Sequence, residues 1–199
     1  TAPGGLVDGV PSGGPRAHLY KHGIIKLFGG KISRGVPFLT EDELKEIIAA
    51  GEREGVLEEE EREMIHSIFE FGETKVAEIM VPRIEMVCVD VEMSFKDALG
   101  VVISAGHSRV PAYEGSIDTI VGVLYAKDIL AMLAQAAERP SIRELMREPV
   151  FVPESKPVSD LLRELRRQKV HIAIVVDEYG GTAGLITIED LIEEIVGDI

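Results

Sequence analysis

The second half of the chain consists of two similar copies of one sequence pattern, and this duplication constrains the fold more than any other feature. The sequence Val-Ala-Glu-Ile-Met at residues 76–80 returns as Ile-Arg-Glu-Leu-Met at residues 142–146. The sequence Gly-Val-Leu-Tyr-Ala-Lys-Asp-Ile-Leu at residues 122–130 returns as Gly-Leu-Ile-Thr-Ile-Glu-Asp-Leu-Ile at residues 184–192. Two copies are too few for a solenoid, which needs three or more. The duplication therefore predicts two similar half-domains that bury a face against each other, and the cleft between them is a natural ligand site.

The composition narrows the class of protein. The chain has 199 residues, of which 45% are hydrophobic and 28% charged, as expected of a soluble globular protein of one or two domains. The formal net charge of -14 argues against a nucleic-acid binder, whose affinity depends on neutralising phosphates. A local basic residue or a bound cation would still allow the chain to bind one small anionic ligand. No apolar stretch approaches the ~20 residues of a membrane-spanning helix, and no signal peptide is visible.

The use of cysteine indicates a reducing compartment. The only cysteine is Cys88, so no disulfide can form within the chain. It stands between two valines, and packing in the interior is therefore favoured over a catalytic role.

The first 38 residues carry little apolar pattern. Residues 1–17 are rich in Gly and Pro and are predicted to be a linker or disordered. Residues 18–28 form a mildly amphipathic segment, for which packing as a short element is favoured over binding to a membrane or a partner. We expect residues 1–38 to act as a partly disordered linker.

Residues 39–73 are predicted to form an acidic helical extension. Thr40 opens a capping box that starts a first helix, which Gly51 is expected to end. A second helix is predicted over residues 58–71, and its four opening glutamates suit the positive end of the helix dipole. Those carboxylates point in different directions on a helix, so a solvated start is favoured over a metal site. A third short helix must end before Pro82.

Each copy of the repeat has the same predicted order of elements: an extended segment, a helix, two strands joined by a glycine turn, and a closing helix. The first copy has these at 85–89, 94–104 (capped by Ser94), 109–113, 120–125 and 127–137, and the second at 150–152, 159–168 (capped by Ser159), 171–176, 182–187 and 188–195. Residues 172–176 are apolar throughout, which predicts a strand covered on both faces. The predicted fold class is α/β (α+β), with β-α-β-β-α units at residues 74–138 and 139–199.

Two such units, the second closing on Gly-x-x-Thr-x-x-Asp, resemble a CBS-domain pair, or Bateman module, over about residues 74–199. The surrounding strings are similar to those of the CorC/CNNM (haemolysin-like) family. These strings are Leu-Thr-Glu-Asp-Glu-Leu at 39–44, Glu-Gly-Val-Leu-Glu-Glu-Glu-Glu at 54–61, Ile-Met-Val-Pro-Arg at 79–83, His-Ser-Arg-Val-Pro at 107–111 and Asp-Glu-Tyr-Gly-Gly-Thr-Ala-Gly-Leu-Ile-Thr-Ile-Glu-Asp-Leu-Ile-Glu-Glu-Ile-Val-Gly-Asp at 177–198. The last string is long and highly specific.

The resemblance implies tandem CBS domains packed through their sheets, with an N-terminal helical extension. It further implies a regulatory module on the cytoplasmic side of the cell membrane that binds an adenine nucleotide, ATP with Mg²⁺ or else ADP or AMP. Such modules form homodimers through their CBS pairs and control the membrane transport domain of a Mg²⁺ efflux or Mg²⁺ homeostasis protein. In this family a membrane domain usually precedes the region and a small domain often follows it, so we expect this fragment to be the sensor and not the pore.

The closing motif of the second repeat supplies the expected nucleoside ligands. A carboxylate at a helix start, here Asp190, can accept hydrogen bonds from both ribose hydroxyls. Thr187 offers a hydroxyl near the ribose or the first phosphate. On spacing alone the same pair indicates an N-cap and a first-turn acid, and the resemblance favours the nucleotide. In the first repeat Tyr125 replaces the threonine although Asp128 is retained. We therefore expect one good nucleotide site and one degraded site per chain.

The phosphate ligand is expected to be Arg109, because a guanidinium is planar, always charged and suited to phosphate. Ser108 beside it adds a hydroxyl, and a surface ion pair is the alternative role for the arginine. Adenine needs a flat apolar slot. By resemblance, that slot is lined by Val81, Pro82, Ile84 and Leu185. Membership of the ordinary hydrophobic core is the alternative for each of these four.

The sequence contains no nucleophile–base pair, zinc-spaced cluster or phosphate-cradling glycine loop, so we expect a binding module and not an enzyme, without a metal held by protein side chains. Two alternatives stay open. One is a purely structural dimerisation module with a vestigial pocket, against which Thr187, Asp190 and Arg109 together argue. The other is an AMP- or S-adenosylmethionine-sensing regulatory domain of a soluble enzyme, against which the Glu-rich helices and the string at 177–198 argue.

Overall fold

The computed structural model of the chain describes residues 40–134 and 140–197. The linker and the amphipathic segment predicted within residues 1–38 lie outside the described residues. The described part opens with α1 (Glu41–Arg53), followed by α2 (Glu59–Phe71). Thr40 N donates to Glu43 Oε2 (2.9 Å) and Glu43 N donates to Thr40 Oγ1 (3.3 Å), which confirms the predicted capping box.

The predicted end of α1 at Gly51 is wrong. A glycine inside a helix costs only about 1 kcal/mol, and α1 continues to Arg53. The chain leaves the helix at Gly55, whose φ of 71° lies in the left-handed region that favours glycine. The carbonyl of Gly51 accepts from the backbone amides of Val56 (2.9 Å) and Leu57 (3.3 Å), which closes the last turn.

The remaining elements confirm two β-α-β-β-α copies, each preceded by a one-turn helix. The first copy comprises α3 (Val76–Ile79), β1 (Val81–Pro82), a 3₁₀ turn (Arg83–Glu85), β2 (Val89–Asp90), α4 (Phe95–Ala105), β3 (Arg109–Glu114), β4 (Ser116–Tyr125) and α5 (Ala126–Leu133). The second comprises α6 (Ile142–Leu145), β5 (Phe151–Pro153), α7 (Val158–Gln168), β6 (Ile172–Val176), β7 (Thr182–Thr187) and α8 (Ile188–Val196). As predicted, α3 ends before Pro82.

Local capping was predicted correctly for α4 and wrongly for α7. Ser94 Oγ accepts from Asp97 N (3.2 Å) and caps α4. Ser159 does not cap α7, which begins one residue earlier, after Pro157. The amide of Val158 donates to the carbonyl of Thr74 (3.0 Å), so a contact with the first repeat provides what a local cap would otherwise supply.

The described residues form two sheets, each built mainly from one repeat. The first sheet has the order β2-β3-β4, and the second has the order β1-β7-β6-β5. In each sheet the short strand after the lead segment runs parallel to the next strand, and the following pair is antiparallel. Residues Ile172 to Val175 of β6 are all at most 2% exposed, which confirms the predicted strand covered on both faces. The turn glycines Gly115 and Gly180 both have positive φ, as their place in the hairpins requires.

The backbone that leads into each repeat joins the sheet of the other repeat. Strand β1 pairs antiparallel with β7, with Val81 opposite Leu185. Arg147, which stands 66 positions after Val81, forms the equivalent bridge with Val123 on β4, and the two amides exchange bonds of 2.9 Å. The two repeats are therefore joined by a reciprocal exchange of their lead segments.

The cores follow the same exchange. Val76 of α3 is fully buried with Leu161 and Ile186 of the second repeat, whereas Ile142 of α6 is buried among core residues of the first. A third cluster lies between the two sheets and includes Ile120 of β4 and Ile174 of β6. Packing of the tandem repeats through their sheets is thus confirmed.

The single cysteine packs at the edge of this third cluster. Cys88 is partly buried there, and burial raises the pKa of its thiol to about 11. The side chain is therefore a protonated thiol at neutral pH, in agreement with a packing role.

Candidate functional site

A cleft of about 470 Å³ opens between the two repeats. One wall is the corner where β7 passes into α8, and the other is formed by β1 and the start of β3. Six of the eight predicted site residues line it: Val81, Ser108, Arg109, Leu185, Thr187 and Asp190. Residues distant in sequence are thus brought together, because the lead segment of the first repeat lies on the sheet of the second.

Thr187 and Asp190 form a reciprocal capping box at the start of α8. The amide and the hydroxyl of Thr187 both donate to Asp190 Oδ2, at 2.7 and 2.8 Å, and Asp190 N donates back to Thr187 Oγ1 (3.3 Å). The capping role expected from spacing alone is therefore present. It also holds the carboxylate fixed at the mouth of the cleft, where Oδ1 accepts no hydrogen bond from the described residues.

Arg109 enters the cleft from the start of β3. Its side chain is 19% exposed, and Nη1 lies 3.3 Å from Glu189 Oε1. The Nε atom is buried and has no hydrogen-bond partner among the described residues. A buried donor without an acceptor is costly, so an anionic ligand that reached Nε would satisfy it. The ion pair and the ligand role predicted as alternatives for Arg109 are compatible, because Glu189 also lines the cleft.

The predicted apolar slot is found in part. Val81 and Leu185 face each other across β1 and β7, and both line the cleft. Pro82 follows on β1 and is not among the lining residues, since neighbouring strand residues point to opposite sides. Ile84 lies on the 3₁₀ turn, is 92% exposed and does not line the cleft. Met86 and Ile172 provide additional apolar lining that the sequence reasoning missed.

Two charged residues were also missed, one that lines the cleft and one at the equivalent corner of the first repeat. Glu189 pairs with Arg109, and its counterpart in the first repeat is Lys127, 62 positions earlier. This difference in charge between the otherwise similar closing motifs of the two repeats was the signal that could have identified Glu189. Arg147 pairs with Asp128 in the first repeat, with Nη2 2.6 Å from Oδ2.

Within residues 40–134 and 140–197, no group of three or more His, Cys, Asp or Glu side chains is placed to hold a metal ion. Over the same ranges, no helix is both long enough and apolar enough to span a membrane.

Comparison with known families matches both repeats separately. The CBS domain family matches residues 76–135 and 142–197. The magnesium and cobalt efflux protein CorC of Escherichia coli strain K12 is 37% identical over 179 residues, which cover 90% of this chain. The chain spans 61% of the length of that protein and 40% of the length of similar mycobacterial proteins.

Solved structures are similar over a larger share of their own length. One is the CBS domain of the bacterial CNNM/CorC family Mg²⁺ transporter, which is 50% identical with a TM-score of 0.74 and covers 81% of this chain and 99% of that chain. Another is the CBS domain of the bacterial CNNM/CorC family Mg²⁺ transporter in complex with ATP. It is 52% identical with a TM-score of 0.65 and covers 70% of this chain and 99% of that chain.

Proposed function

Because the chain belongs to the CBS-domain family, as a tandem pair of the CNNM/CorC type, we propose that it is a regulatory module that binds an adenine nucleotide between its repeats. One observation carries the proposal: Thr187, Asp190 and Arg109 meet in a single cleft of about 470 Å³. The buried Nε of Arg109, which lacks an acceptor among the described residues, supports an anionic ligand.

Each part of a nucleotide has a matching group in the cleft. The ribose hydroxyls donate to Asp190, whose orientation is fixed by the capping box with Thr187. The adenine ring lies against the apolar pair of Val81 and Leu185. The phosphates lie near the guanidinium of Arg109 and the positive end of α8. The ATP complex of a similar CBS domain supports ATP as the ligand, with ADP and AMP as the alternatives.

A divalent cation strengthens this binding in the proposal. Glu189 and Asp190 both line the cleft, and the chain carries a formal net charge of -14. A triphosphate adds several negative charges next to these carboxylates. Mg²⁺ bridging the phosphate oxygens would reduce the repulsion, so ATP affinity is expected to rise with Mg²⁺.

The module acts as a homodimer in this proposal. Leu130 on α5 and Ile192 on α8 occupy equivalent positions of the two repeats and are 57% and 40% exposed. Ile103 on α4 is 65% exposed and borders a small apolar pocket with Leu130. Apolar side chains exposed at equivalent places in both repeats suit a second copy of the chain, because a two-fold arrangement covers both at once.

The dimer is tested by placing a charge on this surface. We expect Leu130→Glu combined with Ile192→Glu to convert a dimer into a monomer, measured by light scattering after size-exclusion chromatography. Ile84→Glu is the matched control, because Ile84 is 92% exposed on the 3₁₀ turn. A wild-type chain that is monomeric at tens of micromolar, or a double variant that stays dimeric, would contradict the homodimer.

Transmission of the signal is proposed to run through α8 and α2. The first turn of α8 carries Asp190, and α2 packs directly against α8. Phe71 at the end of α2 is buried in the same core as Leu191. Nucleotide binding would shift the acidic helices and thereby control an attached membrane transport domain of a Mg²⁺ transport protein on the cytoplasmic side. Only a ligand with different affinities for two arrangements can produce such a shift.

The nucleotide site is tested by calorimetric titration of ATP, with and without Mg²⁺. We expect saturable binding on the order of micromolar, lost in Asp190→Ala and retained in Asp128→Ala, which changes the equivalent carboxylate of the first repeat. Asp190→Asn separates binding from folding, because the side-chain oxygen of asparagine can still accept from the amide and hydroxyl of Thr187 while the negative charge is lost. Thermal melting with ATP, ADP, AMP and S-adenosylmethionine identifies the ligand. A melting temperature unmoved by all four would favour the structural dimerisation module.

A further inference from the structure

The first repeat has a corner equivalent to the one that forms the nucleotide cleft, and the half-exposed side chain of Arg147 lies in it. Arg147 is the counterpart of Val81, and its backbone is fixed to Val123 by two hydrogen bonds of 2.9 Å. In the second repeat the equivalent backbone places a valine beside the cleft. In the first repeat it places a guanidinium.

This guanidinium contacts the groups that a nucleoside would contact in an equivalent site. Nε and Nη2 of Arg147 both donate to Asp128 Oδ2, at 3.0 and 2.6 Å. Asp128 is the counterpart of Asp190, the carboxylate assigned to the ribose hydroxyls. The same guanidinium lies 4.3 Å from the centroid of the Tyr125 ring, within the range of a cation–π contact. Arg147 thus supplies a planar group that lies against the Tyr125 ring and hydrogen-bond donors for the Asp128 carboxylate.

We propose that Arg147 is a built-in occupant of the first repeat's site and limits the chain to one nucleotide. This inference rests on the proposed function of the cleft at Asp190. Sequence alone assigned the loss of the first site to Tyr125, whose side chain makes no cap for α5. The contacts assign it to Arg147, because replacing the tyrosine alone would leave the guanidinium on Asp128.

The corner retains groups that suit a nucleotide once Arg147 is removed. Asp128 is about one-third exposed and would be available to ribose hydroxyls. Lys127 replaces Glu189 of the second repeat, and its Nζ lies 5.6 Å from the Tyr125 ring centroid. A cation therefore stands where the nucleotide cleft has a carboxylate, which suits phosphate.

The test is the number of ATP molecules bound per chain in Mg²⁺, measured by equilibrium dialysis. We expect one for the wild type and for Tyr125→Thr, and two for Tyr125→Thr combined with Arg147→Val, which introduces the residue found at position 81. Adding Asp128→Asn to the double variant is expected to return the number to one. A double variant that melts cooperatively and binds only one ATP would overturn the proposal, as would two ATP molecules on the wild type or on Tyr125→Thr.

Two further variants keep the outcomes separate. If the valine variant does not fold, Arg147→Met repeats the test in the Tyr125→Thr background, because methionine retains the aliphatic stem. Two bound ATP molecules per chain are expected, and one would overturn the proposal. Asp190→Ala added to the double variant is expected to leave one ATP, bound at Asp128. A wild type that binds no ATP would contradict the proposed function, whereas one ATP on both wild type and double variant contradicts only the role of Arg147.

Discussion

Gly184 on β7 and Gly122 on β4 are equivalent residues whose neighbours differ. A Cβ at Gly184 would overlap the backbone carbonyl oxygen of Val81, which pairing with β7 holds in place. A Cβ at Gly122 would meet the side chain of Met146, with Sδ at 2.5 Å, and this flexible side chain can move. The close approach of the exchanged lead segments therefore requires glycine more strictly in the second repeat.

We expect Gly184→Ala to lower the free energy of unfolding by about 2–3 kcal/mol and Gly122→Ala by about 1 kcal/mol, both through overpacking. Urea denaturation measures the difference. Gly100→Ala is the control, because no heavy atom outside its own helix and chain neighbours lies within 4 Å of a Cβ there. An alanine in that helix is expected to stabilise by about 0.5–1 kcal/mol. Equal losses at Gly184 and Gly122 would contradict this assignment.

Glu189 is expected to set the dependence of ATP binding on Mg²⁺. Replacing it with glutamine releases Arg109 and removes a carboxylate from the cleft. Calorimetry in EDTA should show up to about fivefold tighter ATP binding, since a partly exposed ion pair contributes about 1 kcal/mol at most. The change in Mg²⁺ should be smaller. Glu193→Gln makes the same change of charge on α8 away from this cleft, and an equal effect there would argue for net charge alone.

The cleft shows which of its lining residues a sequence can indicate, while their roles as nucleotide ligands stay predictions. Thr187 and Asp190 were predictable because their spacing carries both a capping signal and a family motif, and Arg109 because it stands in a short motif. Glu189 and Arg147 were missed because each acts through a partner distant in sequence, at 80 and 19 positions respectively. Comparison of the two repeats marks Glu189 through its counterpart Lys127, but no pattern within one repeat indicates the partner of either residue.

At the scale of elements, the β-α-β-β-α order of each repeat was predicted, whereas helix α6 and strand β1 were not, and the ends of the elements were less reliable. The start of α7 shifted because Val158 donates to Thr74 in the other repeat. The predicted extended segment at 85–89 is a strand only at Val89, since β2 covers Val89–Asp90 and Glu85 belongs to the 3₁₀ turn. Element ends respond to tertiary contacts that the local sequence does not contain.

Helix α2 is expected to be an integral part of the second repeat's core. Phe71 at its end is 7% exposed and packs with Val152 and Leu191, whereas Phe151 on β5 is 50% exposed. We expect Phe71→Ala to cost about 3–5 kcal/mol of the free energy of unfolding and Phe151→Ala about 0.5 kcal/mol or less. Chemical denaturation of both variants tests this. Similar losses would mean that α2 does not anchor to the core through Phe71.

At the scale of the molecule, the exchange of lead segments could not be predicted. A duplicated sequence is equally consistent with two self-contained copies and with two copies that trade their first helix and strand. The boundaries at residues 74–138 and 139–199 follow the repeat in the sequence and stay predictions. In the structure Val76 and Ile142 each pack in the core of the other copy, so cutting at the sequence boundary would divide both cores.

A dissection of the chain tests this interdependence. We expect a fragment of residues 139–199 to be unfolded by circular dichroism, because its core lacks Val76 and Phe71, and a domain of about 60 residues is only marginally stable even with a complete core. Mixing it with a fragment of residues 40–138 should restore secondary structure, while the intact chain 40–199 should unfold in one cooperative transition. A fragment 139–199 that folds cooperatively by itself would show that the exchanged contacts are dispensable. The second repeat would then fold, and present its nucleotide ligands, without help from the first repeat.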